Sequence, residues 1–164
     1  MRTLNDLYID LLQDVYYAEK SIVKALPTMI KKASAPQLAD LLSAHLDETT
    51  DQVDRLEQVF QIAGVKAKAK KCHAIEGIIQ EATDAMAEAE DDAVRNAAIV
   101  ADAQAVEHYE MARYGTLVAW AKQLRMPEAV KLLQATLDEE TAANQKLSKV
   151  STKLNEQANK KQAA

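Results

Sequence analysis

"PQLADLL" (36–42) and "PEAVKLL" (127–133) decide the architecture, because Pro36, Leu41 and Leu42 recur as Pro127, Leu132 and Leu133 at a constant offset of 91 positions. Each proline follows a short break, "SA" at 34–35 and "RM" at 125–126, and each suits a first helical turn, where its missing amide hydrogen is not needed. Upstream of Pro36, apolar residues recur at Leu4, Leu7, Leu11, Val15, Ala18, Ile22, Leu26 and Met29, the alternation of threes and fours that an amphipathic helix requires. This predicts α1 over about 4–33, with Pro27 kinking it or marking a local irregularity. Downstream, Leu38, Leu42, Leu46, Val53, Leu56 and Phe60 predict α2 over about 36–63, capped by Gly64. Around Pro127 the same reading predicts α4 over about 93–124 and α5 over about 127–157, followed by a fraying polar tail.

The chain is thus two helical hairpins, the second imitating the first. Short connections make the members of each hairpin antiparallel. The segment joining the hairpins, 65–92, is far longer than a turn: a basic linker, "VKAKAKK" (65–71), then "HAIEGIIQEATDAMAEAE" (73–90), which predicts a short helix α3 over about 73–89 before a break at Asp91 and Asp92. It can carry the chain back along the whole bundle. The predicted fold is all-α, one domain over 1–164: a ferritin-like four-helix bundle with a long crossover containing a short fifth helix.

Composition agrees. Three glycines and three prolines among 164 residues leave few turns, and the abundant Ala, Leu, Lys, Glu and Gln favour helix. A net charge of −5 argues against a nucleic-acid surface. No apolar run approaches a membrane span and "MRTLNDLYIDLLQD" (1–14) is no secretory core, so a cytoplasmic protein without membrane contact is expected. Cys72 stands alone, which excludes an internal disulfide and any C-x-x-C motif.

Acids on the apolar stripes are the informative exception. Glu19 lies between Val15, Ile22 and Val23, and the offset of 91 carries it onto Glu110; Glu48 of "AHLDETTDQ" (44–52) is carried onto Glu139 of "TLDEETAAN" (136–144). Each pair is roughly equidistant from its hairpin turn, so the four acids lie within a few ångströms of one height at about 1.5 Å of rise per residue. Carboxylates converging in an apolar bundle repel unless protons or cations intervene, and two divalent metals would balance them with oxygen ligands. His45, three residues before Glu48, adds a nitrogen on that face, and Gln52 continues it. Glu107, one turn before Glu110, is a further ligand or a positioning partner. On α5 the repeat selects Glu139, whereas the heptad of Leu133, Leu137, Leu147 and Leu154 puts Glu140 nearer the centre. His108 is expected on the surface or in a dimer contact, and Tyr16, Tyr109 and Tyr114 in core packing.

Four blocks, "YYAEKSIVKALPTM" (16–29), "AHLDETTDQVDRLEQVF" (44–60), "VEHYEMARYGTLVAWAKQL" (106–124) and "LLQATLDEETAANQKL" (132–147), together resemble the bacterial YciF/YciE stress-protein family. The resemblance implies a ferritin-like bundle, a homodimer and a link to stress, with no established reaction. Better-understood members of the superfamily, the rubrerythrins and ferritins, place Glu on the first and third bundle helices and E-x-x-H on the second, in several branches on the fourth as well. Here His45-Leu46-Asp47-Glu48 reverses that order, Asp51 stands where a histidine would follow Glu48, and α5 offers only Ala142 and Asn144. Carry-over therefore reaches Glu19, Glu48, Glu110 and one of Glu139 or Glu140, with His45 and Glu107 as additions. The expected cofactor is di-iron or di-manganese, acting on peroxide, dioxygen or iron. The competing expectation is a non-catalytic bundle whose acids are protonated and whose surface serves a partner.

Overall fold

The computed structural model describes residues 1–160 and contains α1 (Leu4–Lys32), α2 (Pro36–Ile62), α3 (His73–Glu88), α4 (Asp92–Gln123) and α5 (Pro127–Lys160), with no strand among the described residues. Boundaries follow local chemistry. Thr3 and Asp6 form a reciprocal capping box at the start of α1. Pro36 occupies the first turn of α2, and the Asp91 side chain accepts the amides of Ala93 and Val94 to start α4. α2 stops where Gly64 takes φ +70° and the amide of Val65 reaches back to the carbonyl of Phe60, a glycine C-terminal cap. Arg125, φ +58°, plays the same part between α4 and α5, with the amide of Met126 on the carbonyl of Ala121.

Two details depart from the periodicity. α1 continues unbroken through Pro27, which is exposed on its outer face. Leu4 and Leu7, placed on the inward stripe, stand 37% exposed at the end of the bundle, and Tyr8, wholly buried, takes the inward position. The tail expected to fray beyond 157 is helical to Lys160, and 161–164 lie outside the described residues.

The bundle is a ring in which α1 packs on α2 and α4, and α5 packs on α2 and α4. Neighbours are antiparallel: Asn96 meets Ser34 and Tyr114 meets Glu19 across α4 and α1, while Arg55 meets Thr136 and Glu48 meets Lys146 across α2 and α5. The crossover returns the chain along the outside, with α3 lying on α1 and α4. Its fixings are Lys70 to Asp10, the Lys70 amide to the Gln13 carbonyl, and Tyr17 to Glu76. No helix among the described residues is long and apolar enough to cross a membrane.

The core is divided. One apolar cluster holds Leu12, Val15, Leu56, Phe60, Leu117 and Leu133; the other holds Ile22, Leu26, Leu38, Leu42, Ile99 and Leu147. Each fully buried Leu or Phe contributes about 1.5–3 kcal/mol. Between the two lies a layer of polar side chains.

Candidate metal centre

That layer contains Glu19 of α1, His45, Thr49 and Gln52 of α2, Glu107 and Glu110 of α4, and Thr136 and Glu140 of α5, all buried. Every helix of the ring contributes at mid-length, so the layer is a product of the bundle and of no single segment. His45, Glu107, Glu110 and Glu140 each present a ligand atom, and the four atoms lie within 4.8 Å of one another. Ligands on opposite sides of one transition-metal ion stand about 4.2 Å apart at bond lengths near 2.1 Å. Small side-chain adjustments would therefore close this group on a cation.

Hydrogen bonding leaves most of these atoms unanswered. Tyr114, wholly buried, donates a hydrogen bond to Oε1 of Glu19. By strict hydrogen-bond geometry Oε2 of Glu19, both oxygens of Glu110 and of Glu140, Oε2 of Glu107 and both ring nitrogens of His45 have no protein partner, and proton sharing between carboxyls links Glu19 with Glu110 and Glu107 with Glu140. His45 Nε2 is 3.6 Å from Oε1 of Glu107, too long for a hydrogen bond. An unanswered buried polar atom costs about 1–3 kcal/mol, and several converge here.

Electrostatics follow from burial. Loss of water pushes Glu19 up to about 8, with the charge of Glu140 adding and the Tyr114 hydrogen bond opposing. Burial raises Glu107 to about 10 and Glu110 well above its ordinary value, each with help from neighbouring carboxylates, and raises Glu140 to about 7. Burial also lowers His45 to about 4, with Lys146 acting in the same direction. Without a cation, then, Glu107 holds its proton near neutral pH and the imidazole is neutral, so the contact of His45 with Glu107 is not an ion pair.

Not every expected acid reaches the layer. Glu48 is half-buried and turns toward Lys146, 3.6 Å away. Glu139, also half-buried, takes two hydrogen bonds from Arg55 at 2.8 and 2.9 Å and one from Gln52 at 3.1 Å. Burial raises Glu139, but the hydrogen bonds from Arg55 and Gln52 outweigh it and hold it below the usual value. The repeat itself is in register: at an offset of 91, His45 corresponds to Thr136 and Thr49 to Glu140, all four buried. The inward position on α2 opposite Glu140 thus belongs to Thr49, and Glu48 is one residue, about 100°, away from it. Of the α5 pair, the heptad position Glu140 is the buried one.

The tyrosines divide as well. Tyr16 packs against Phe60 and Tyr109 bonds to Asp14, whereas Tyr114, expected only in packing, is a hydrogen-bond partner of the layer. Its position four residues after Glu110 was the available signal, since i and i+4 share a face. Arg55 and Gln52 are the other supports the acid pattern did not reveal. His108 is exposed, as expected.

A crossover helical bundle with a buried layer of glutamates and one histidine defines the class, a ferritin-like bundle with a candidate carboxylate–imidazole metal centre. Residues 3–161 match the family described as domain of unknown function DUF892, and the chain belongs to that family. Protein YciF of Escherichia coli (strain K12) is 45% identical over 148 residues, 90% of this chain and 89% of that protein. The crystal structure of the E. coli stress protein YciF superposes with a TM-score of 0.92 at 42% identity, covering 95% of this chain and 99% of that one. YcfI of Rhodopseudomonas palustris, which carries a structural-protein label, gives 0.88 at 50% identity, covering 90% and 94%. The resemblance read from the four sequence blocks and these similarities agree.

Proposed function

We propose that the chain is a metal-dependent stress protein whose mid-bundle layer binds a pair of divalent ions, iron or manganese, and uses them on peroxide, dioxygen or iron. The observation that carries this reading is the convergence of unpartnered, buried oxygen and nitrogen atoms on Glu19, His45, Glu107, Glu110 and Glu140. The donor set fits: carboxylate oxygens and one neutral imidazole suit iron and manganese, and four ionised glutamates balance two divalent cations.

When bound, such ions supply a site for an oxidant and a reversible change of charge. The chain's own residues do the rest. His45 offers a neutral nitrogen, since burial keeps it unprotonated. Tyr114 positions Glu19 by its hydrogen bond, and Arg55 holds Glu139 out of the layer while Gln52 links the two. The apolar clusters on either side limit water and sharpen electrostatic interactions within the layer. The expected assembly is a homodimer, to be read by sedimentation as twice the 18.1 kDa chain.

A second reading has its own support. The Tyr114 hydrogen bond and the upward-shifted acids describe a layer that can also persist protonated, as a non-catalytic bundle would require. Elemental analysis decides between them: protein purified without chelator and then exposed anaerobically to Fe(II) or Mn(II) should carry about two ions per chain. Neither native metal nor uptake would leave the non-catalytic reading standing.

A further inference from the structure

A cavity of about 220 Å³ among α1, α2, α3 and α4 is lined by the exposed Thr28 and Thr83, by the buried Met29 and Met86, and at its inner end by the buried His45 and Glu107. Its walls are apolar apart from Thr28 and Thr83 on the exposed side and that inner end. There His45, 7% exposed, has neither ring nitrogen bonded to protein, and Glu107, 1% exposed, has one oxygen unpartnered. An apolar slot with unpartnered polar atoms at its floor is the usual form of a small-molecule site.

The geometry points to a binding pocket for a small neutral molecule with an apolar body and one hydroxyl, the body between Met29 and Met86 and the hydroxyl against His45 and Glu107. Size sets the body: a dry protein cavity of about 150 Å³ accepts benzene, so this one accommodates roughly nine non-hydrogen atoms. The head follows from the floor. A hydroxyl both donates and accepts, so it can satisfy a ring nitrogen and a carboxyl oxygen together. A charged head would lose its hydration against apolar walls. This binding does not depend on a metal.

The test uses chelator-treated full-length protein carrying methyl-13C methionine, titrated with 2-phenylethanol and followed by NMR. The methyl signals of Met29 and Met86 should shift saturably while that of Met126, in the other half of the bundle, stays in place. Ethylbenzene, which lacks the hydroxyl, should bind at least about tenfold more weakly, the loss of the hydroxyl's two hydrogen bonds to His45 and Glu107. Ala82→Phe, which fills the slot, should weaken 2-phenylethanol binding more than tenfold; Ala25→Met at the half-buried rim gives the same direction if Ala82→Phe fails to fold. Absence of saturable shifts at Met29 and Met86, or shifts that both variants leave unchanged, would overturn the pocket. Equal affinity for ethylbenzene would overturn the role of His45 and Glu107. Metal uptake measured on the same samples reports separately on the metal centre.

Discussion

Glu110→Gln in metal-free protein exposes the electrostatics of the layer. Glu110 is 1% exposed, both its oxygens lack protein partners, and burial with the charges of Glu19, Glu140 and Glu107 raises it well above its ordinary value of 4.5. The folded state therefore keeps a proton that the unfolded chain releases. For an acid raised in this way, stability is greatest below the unfolded-state value and falls as pH rises toward the folded-state value. While the unfolded chain's carboxylate is ionised and the folded one's is protonated, the slope for such a group is at most about 1.4 kcal/mol per pH unit. Glutamine cannot ionise in either state. The variant should match wild type near pH 5 and exceed it progressively toward pH 8, as read by urea denaturation of chelator-treated protein at several pH values. Saturating Mn(II) should reverse the order, because the metal binds the ionised carboxylates of the wild type and its binding releases protons. Parallel pH profiles for wild type and variant without metal would refute the reasoning.

Other outcomes follow from the same geometry. Tyr114→Phe removes the hydroxyl donor to Glu19 and should cost about 1–3 kcal/mol in denaturant unfolding at pH 6. Arg55→Met should cost about 1 kcal/mol and return Glu139 toward an ordinary carboxylate value, visible by NMR titration of the side chain, because the pair is only partly buried. Gly64→Ala meets no neighbouring atom, yet the left-handed backbone at φ +70° should make it cost about 1 kcal/mol in thermal unfolding.

The fold was legible because its signals were local and redundant. Apolar spacing, Pro36 and Pro127 as starts, Gly64 as a stop and the long 65–92 segment each pointed to the same bundle, and helix ends moved by at most three residues. The site was legible only to the resolution of a helical face. A step of one residue turns a side chain by about 100°, so the repeat could identify the right turn on α2 and α5 while naming Glu48 and Glu139 in place of the buried Thr49 and Glu140. The supports were harder still: the bond of Tyr114 to Glu19 and those of Arg55 to Thr136 and Glu139 cross between helices far apart in sequence. The pocket above His45 depends on where α3 lies, which no periodicity specifies.

Calorimetric Mn(II) titration of wild type, Glu140→Gln and Glu139→Gln tests the central claim most directly, since the two acids are adjacent in sequence and differ only in which side of α5 they occupy. Glu140→Gln should weaken Mn(II) binding at least tenfold while Glu139→Gln leaves it within about twofold. Equal affinities for the two variants, or no measurable Mn(II) binding by the wild type, would contradict a metal centre built on the buried layer.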